Sequence, residues 1–177
     1  MSADHSVLLV PALHVSAVVD EYRRRYDPSA AAGMPPHITI MYPFLVADEL
    51  RGETMARLVE LLGFTGAFEY SLTDVREFEQ QVVYLTPDPA ERFIHLTSLV
   101  GEHCGIRPYG GAHSEVVPHL TIAVSAPKEQ RRRMTDELRQ KLPQTGIASE
   151  AWVMVGSNDR IWRRAHSIAL STQEARS

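Results

Sequence analysis

The sequence has very little cysteine, with Cys104 alone among 177 residues. One cysteine cannot form an internal disulfide or a multi-cysteine metal site, which excludes a disulfide scaffold and a cysteine-based metal cluster. Cys104 ends an apolar helical pattern, so we do not expect it to be a nucleophile. This composition is typical of a reducing compartment and predicts a cytoplasmic protein.

Long apolar runs are also missing near the N-terminus. Residues 7–13 form a short apolar run that no basic segment precedes. About 20 apolar residues are needed for a helix to cross a bilayer. We therefore expect no membrane segment.

Lysine is scarce, and the chain carries no positive excess. Two lysines accompany 16 arginines, and the formal net charge is −4. Such a balance gives no general attraction for long nucleic acid, so recognition of RNA would be confined to its end. Two arginine runs, at 23–25 and 131–133, lie in helical patterns, where a solvated face is the favoured interpretation.

Hydrophobic periodicity predicts an α+β protein with one domain spanning residues 1–177. Strands are predicted at 7–10, 37–42, 68–78, 82–85, 116–124, 151–155 and 161–170, and helical faces at 15–22, 55–62, 93–104 and 134–142. Residues 156–159 predict a turn. Each half reads helix, strand, helix, strand, strand, and the place of the additional N-terminal strand stays open.

An internal repeat is the most specific feature of the sequence. Pro-His-Ile-Thr-Ile at 36–40 matches Pro-His-Leu-Thr-Ile at 118–122, with an offset of 119 − 37 = 82 residues. Side chains alternate along a strand, so the histidine and threonine of each copy share one face. We predict a bilobal fold in which two antiparallel sheets face each other across a central cleft, with helices outside. Pseudo-symmetric lobes would supply the motifs at 37–40 and 119–122.

Two histidines on opposite sides of an anion can divide acid and base work, because imidazole titrates near neutral pH. We predict that His37 and His119 form this pair, one taking a proton from water and the other protonating a departing ribose oxygen. Thr39 and Thr121 would donate hydrogen bonds to the non-bridging phosphate oxygens. The scheme requires neither a metal nor a cofactor. One copy alone would be weak evidence, since polar residues also alternate on solvent-facing sheets.

Further candidates flank these motifs. We predict that Arg107 and Tyr109 line the cleft mouth and grip a phosphate or stack a base; a structural role for either is the alternative. Arg164, expected on one strand face with His166, could reach the phosphate or remain solvated at an edge. Phe44 is a candidate to stack a base, whereas alternation favours a core position for Tyr42.

The paired motifs, the first continuing as Met-Tyr-Pro-Phe at 41–44, resemble the 2H phosphoesterase superfamily and its 2′-5′ RNA ligase-like branch. The resemblance covers nearly the whole chain. It implies a bilobal fold and metal-independent opening of 2′,3′-cyclic phosphates, usually leaving a 2′-phosphate. It also implies that the two histidines are the acid/base pair and the two threonines the phosphate ligands, without assigning the base.

Some members of the family that the chain resembles join RNA ends reversibly through a 2′-5′ bond. The acidic net charge and the scarcity of lysine argue against such ligation of long RNA here. The expected partner is a nucleotide or RNA end bearing a cyclic phosphate. Nothing indicates an obligate protein partner, so a monomer is expected. Two alternatives stay open: a non-catalytic binder of nucleotides or RNA ends, and an esterase acting on a non-nucleotide phosphodiester.

Overall fold

The computed structural model describes residues 5–79, 81–113, 115–156 and 161–171. Most of the turn predicted at 156–159 therefore lies outside the described residues. The strands in these ranges are β1 His5–Pro11, β2 His37–Met41, β3 Phe68–Phe78, β4 Val82–Asp88, β5 Leu120–Val124, β6 Gln144–Ala148, β7 Glu150–Gly156 and β8 Trp162–Ala169. The α-helices are α1 Ser16–Tyr26, α2 Pro28–Ala31, α3 Glu53–Gly63, α4 Ala90–Cys104 and α5 Lys128–Arg139.

The strands form two four-stranded antiparallel sheets, as predicted. The first sheet has the order β2-β1-β7-β8 and the second β5-β4-β3-β6. Each motif strand lies at an edge, and the two edges contact each other. This contact brings the two copies of the repeat to one junction between the sheets.

The N-terminal strand β1, whose place the sequence left open, lies inside the first sheet between β2 and β7. β1 pairs with the first motif strand, just as β4 pairs with the second. The structural repeat therefore begins one strand earlier than the order that we predicted, at β1 and at β4.

Two helices each connect strands of one sheet but pack against a strand of the other sheet. The helix α1 connects β1 to β2 but packs on β5, whereas α4 connects β4 to β5 but packs on β2. Their apolar faces include Val15 and Val19 beside α1 and Phe93 and Val100 on α4, all buried in one large core. Each motif strand therefore packs against a helix that belongs to the other repeat.

A β-bulge interrupts each motif strand at an equivalent position. The register of β1 with β2 skips Ile40, and that of β4 with β5 skips Ile122. Consequently two consecutive side chains point into the core at each bulge, Ile40 with Met41 and Ile122 with Ala123. The alternation is shifted by one residue beyond each bulge.

Two predicted elements need correction. The strand β6, Gln144–Ala148, was not predicted, because a short edge strand containing Gly146 and alternating polar residues carries a weak hydrophobic pattern. The strand predicted at 116–124 begins only at Leu120. Pro118 has no N–H to donate to a sheet, which is consistent with the later start.

Candidate active site

A cleft at the junction of the sheets contains the two histidines and the two threonines of the repeat. It comprises two adjoining cavities of about 260 and 670 Å³. His37 lines the smaller cavity and His119 the larger, while Thr39 and Thr121 line both. The structure therefore brings together the residues that the sequence predicts as the acid/base pair and the phosphate ligands.

Both histidines are held in the same way. The Nδ1 of His37 donates a hydrogen bond to the carbonyl oxygen of Pro35 at 2.7 Å, and the Nδ1 of His119 donates to that of Val117 at 2.6 Å. A carbonyl can only accept, so the proton of the neutral ring must be on Nδ1. The Nε2 atom of each ring remains for proton transfer.

Burial lowers the pKa of both rings. The pKa of His37 falls from 6.5 to about 4, mainly through burial. The Pro35 carbonyl and Asp27 oppose this shift, whereas Arg23 and His119 add to it. The pKa of His119 is lowered by burial, and the Val117 carbonyl opposes that shift. His37 is therefore neutral at pH 7 in the ligand-free protein.

A buried ion pair lies beside His37. A guanidinium nitrogen of Arg23 lies 2.8 Å from the carboxylate of Asp27, and both side chains are buried. Arg23 also donates to the carbonyl of Met34 at 3.2 Å, and Asp27 accepts from the backbone N–H of Ser29 at 2.9 Å. Asp27 and Ser29 line the smaller cavity. The pair thus fixes this wall of the cleft and places opposite charges near the His37 ring.

Aromatic rings hold His119 on its side of the cleft. Phe78 and Tyr84 stack with centroids 4.0 Å apart, and the His119 ring meets both edge to face at 5.1 and 5.4 Å. Sequence reasoning missed both residues. The signal that could have found them is the β3–β4 hairpin, whose register places Phe78 and Tyr84 near the second motif strand.

Tyr109 reaches from the loop before the second motif to the first motif. Its side chain lines both cavities together with Thr39, and burial raises its pKa while the Thr39 side chain opposes that shift. Its backbone N–H donates to the carbonyl of Tyr42 at 2.6 Å. Tyr109 has a φ of 53°, followed by Gly110 at 62° and Gly111 at 82°. A left-handed non-glycine residue costs about 1–3 kcal/mol, and such strain is typical of functional sites.

Arg107 and Arg164 line neither cavity of the cleft. Arg107 is exposed and lines a neighbouring cavity of about 390 Å³ beyond Tyr109, without lining either cavity of the cleft. The guanidinium of Arg164 stacks 4.4 Å above the Trp152 ring. Its predicted shared face with His166 is wrong, because a register shift pairs Arg164 with Met154 but His166 with Val153.

The predicted role of Phe44 is wrong, and Tyr42, which packs against a small apolar cluster as expected of a core residue, also faces the cleft. Phe44 is only 7% exposed and belongs to the large core, so it is not available to stack a base. Tyr42 instead lines the smaller cavity with His37. The bulge at Ile40 explains the position of Tyr42, because it moves this residue onto the face of the motif residues, whereas Phe44 lies beyond the end of β2.

Two general features concern the described residues alone. Among them, no three histidine, cysteine or carboxylate side chains are grouped closely enough to hold a metal ion. Within the same ranges, no helix is long and apolar enough to cross a membrane.

Comparison with protein families identifies the class to which this fold and cleft belong. The model of the 2′-5′ RNA ligase superfamily matches residues 11–160. This match covers most of the chain, so the protein belongs to this superfamily, the 2H phosphoesterases. Membership supports a phosphodiesterase type of activity.

Curated relatives share a moderate part of the sequence. A Bacillus licheniformis protein named "putative phosphoesterase" is 24% identical over 144 residues, which cover 77% of this chain and 80% of the relative. A Staphylococcus aureus protein of the same description is 29% identical over 117 residues, covering 65% of this chain and 67% of the relative.

Solved structures share the fold over almost the entire chain. Escherichia coli LigT complexed with 3′-AMP superimposes with a TM-score of 0.63 at 16% identity, covering 97% of this chain and all of the other. The protein TT0787 of Thermus thermophilus superimposes with a TM-score of 0.61 at 15% identity and the same coverage. These similarities confirm the predicted α+β fold.

Proposed function

We propose that this protein hydrolyses 2′,3′-cyclic phosphates of nucleotides or RNA ends by two-histidine acid/base catalysis. The observation that carries the proposal is the matched pair of Nδ1–carbonyl hydrogen bonds, which leave the Nε2 atoms of His37 and His119 for chemistry on the two sides of one cleft.

The reaction breaks one P–O bond of the cyclic diester. Neutral His37 removes a proton from water, whose oxygen forms the new bond to phosphorus. His119 enters protonated and transfers its proton to the ribose oxygen as the P–O bond to that oxygen breaks. The product is a nucleoside phosphate monoester. General acid/base catalysis of this type contributes about 10²–10⁴ in rate.

The environment of each histidine supports this division of roles. Arg23 is close enough to disfavour the protonated form of His37, which suits a base that must begin neutral. The larger cavity lies beside His119 and offers the space for the nucleoside that carries the leaving oxygen. A phosphate anion between the rings raises both pKa values, so that His119 can become protonated in the complex.

Threonine hydroxyls complete the proposed mechanism. Thr39 and Thr121 line both cavities and can donate to the non-bridging phosphate oxygens. These oxygens gain negative charge in the transition state, where preorganised donors stabilise it most effectively.

Turnover of the four nucleoside 2′,3′-cyclic phosphates in the presence of a chelator tests the proposal. Wild-type protein should hydrolyse at least one, and His37→Ala and His119→Ala should each lose about 10²-fold or more in kcat. His95→Ala, which changes an exposed histidine on α4, is the control and should behave as wild type. Equal turnover by all four proteins, or none by wild type at high enzyme concentration, would contradict the proposal.

A non-nucleotide phosphodiester is the second candidate substrate. The larger cavity is lined by the apolar side chains of Phe78, Val82, Val117 and Val124. These side chains can contact any apolar substituent and do not require a purine or pyrimidine. Alkyl and aryl phosphodiesters assayed beside the cyclic nucleotides distinguish the two candidates. A higher kcat/KM for a non-nucleotide diester would replace the nucleotide as the proposed substrate.

A further inference from the structure

The charge on the walls of the cleft is unusual for a site that binds a phosphate ester. Among the described residues, no arginine or lysine lines either of its two cavities. The carboxylates that do so are Asp27 in the smaller cavity and Glu79 and Glu115 in the larger one. Asp27 is paired with Arg23, so the net negative charge lies on the His119 side.

Arginines near this side are engaged elsewhere. Arg131 pairs with Glu77 at 3.2 Å, and Arg76 pairs with Asp74 at 3.3 Å. Arg107 lies in the neighbouring cavity, which also contacts Tyr109 and Glu115. The larger cavity itself receives only the imidazoles of His113 and His119 as potential cations among the residues described.

Apolar groups form the rest of the larger cavity. Phe78, Val82, Val117 and Val124 line it, and Val117 and Val124 are 44% and 38% exposed. Exposed valines beside a catalytic histidine favour an uncharged, partly apolar substituent.

Backbone conformation also singles out Glu79. It has a φ of 47° in the tight β3–β4 turn, where glycine or asparagine would be less strained. Tyr109, which lines the same cavity, is another non-glycine residue in this conformation. A left-handed residue other than glycine on a cleft wall motivates the hypothesis that its side chain is functional.

We infer that the cleft selects a phosphodiester whose reacting phosphate is its sole charge, with an uncharged nucleoside beside His119. Glu79 and Glu115 are specificity-determining residues that reject a second phosphate on that nucleoside. This inference rests on the proposed function, which puts the reacting phosphate between the histidines and the departing ribose in the larger cavity. A free nucleoside cyclic phosphate then fits, whereas a 5′-phosphorylated nucleotide or an extended RNA end is disfavoured.

The test compares adenosine 2′,3′-cyclic phosphate with its 5′-phosphorylated form. Wild type should prefer the first by about tenfold in kcat/KM, and Glu79→Gln and Glu115→Gln should each reduce the preference about threefold, with a larger reduction in the double variant. Raising the salt from about 0.05 to 0.5 M should also reduce the wild-type preference, because salt screens exposed charges. Arg107→Gln is the control and should leave the ratio unchanged.

Equal or better turnover of the 5′-phosphorylated substrate by wild type would overturn the inference. An unchanged ratio in the double glutamine variant would do so as well, and so would a loss of 5′-phosphate binding in Arg107→Gln. Calorimetric binding of adenosine 2′-phosphate against adenosine 2′,5′-bisphosphate separates this result from a failure of the proposed function. Absent turnover with an intact binding preference would refute hydrolysis alone, whereas equal binding of both ligands would refute the selectivity.

Discussion

The side chains of Tyr109 and Thr39 lie beside each other in both cavities of the cleft, so the loop that precedes the second motif reaches the first motif. The Tyr109 backbone N–H adds a second contact, to the carbonyl of Tyr42. The two copies of the repeat are therefore connected through one strained tyrosine as well as through their motif strands. We therefore expect Tyr109 to position Thr39.

Replacing Tyr109 by phenylalanine removes the hydroxyl while keeping the ring. We expect kcat for a cyclic phosphate to fall about tenfold with little change in KM, because the hydroxyl beside the proposed phosphate donor Thr39 is lost. Steady-state kinetics check this result. Tyr26→Phe on α1 is the control, and an unchanged kcat in Tyr109→Phe would contradict the positioning role.

Threonine at each motif is expected to act through its hydroxyl. Thr39→Val and Thr121→Val keep the shape of the side chain but remove the donor, so kcat should fall about 10²–10³-fold in each. Thr39→Ser and Thr121→Ser retain the donor and should recover most of the activity. Valine variants as active as their serine counterparts would show that neither hydroxyl contacts the reacting phosphate.

The buried ion pair should be needed for stability as a pair. Arg23→Met leaves the Asp27 carboxylate buried without its cation and should cost about 3–5 kcal/mol of unfolding free energy. The double variant Arg23→Met with Asp27→Asn removes both charges and should recover part of this loss. Chemical denaturation measures both values. The exposed Arg24→Met is the control, and an equal loss in Arg23→Met and Arg24→Met would contradict this assignment.

The pKa of His37 predicts how stability depends on pH. The folded protein binds a proton at this ring only near pH 4, whereas the unfolded chain binds one near the ordinary value of 6.5. The unfolded state therefore binds more protons in this window, so the contribution of neutral His37 is complete above pH 6.5 and is lost as pH falls toward 4. The stability of wild type relative to His37→Gln should accordingly decline between pH 7 and 4.5. A difference that stays constant or grows on acidification would be inconsistent with a lowered pKa.

Gly146 should be intolerant of a side chain. A Cβ at this position would lie closer to the His14 ring than van der Waals contact allows. Gly146→Ala is expected to destabilise the protein by about 1–3 kcal/mol, and His14→Ala in the same chain should relieve the clash. A denaturation double-mutant cycle measures this coupling. Additive effects of the two changes would show that the ring and the strand do not compete for space.

Sequence patterns predicted the α+β fold and the four motif residues that line the cleft. Both predictions rest on spacing and alternation, which are local properties of the sequence. Bulges are not visible in such patterns, and the bulge at Ile40 moved Tyr42 to the cleft face of its strand. The exchange of α1 and α4 between the sheets depends on tertiary packing that periodicity does not encode. Phe78 and Tyr84 could be recognised only after the β3–β4 register was known.

The division of roles between the histidines is tested most directly by a change of leaving group. A ribose oxygen needs protonation when it departs, whereas nitrophenolate does not. His119→Ala should therefore be severely impaired on adenosine 2′,3′-cyclic phosphate but only mildly on thymidine 3′-(4-nitrophenyl phosphate), while His37→Ala should be impaired on both. Equal impairment of His119→Ala on the two substrates, or an active His37→Ala, would contradict the assignment of His37 as base and His119 as acid.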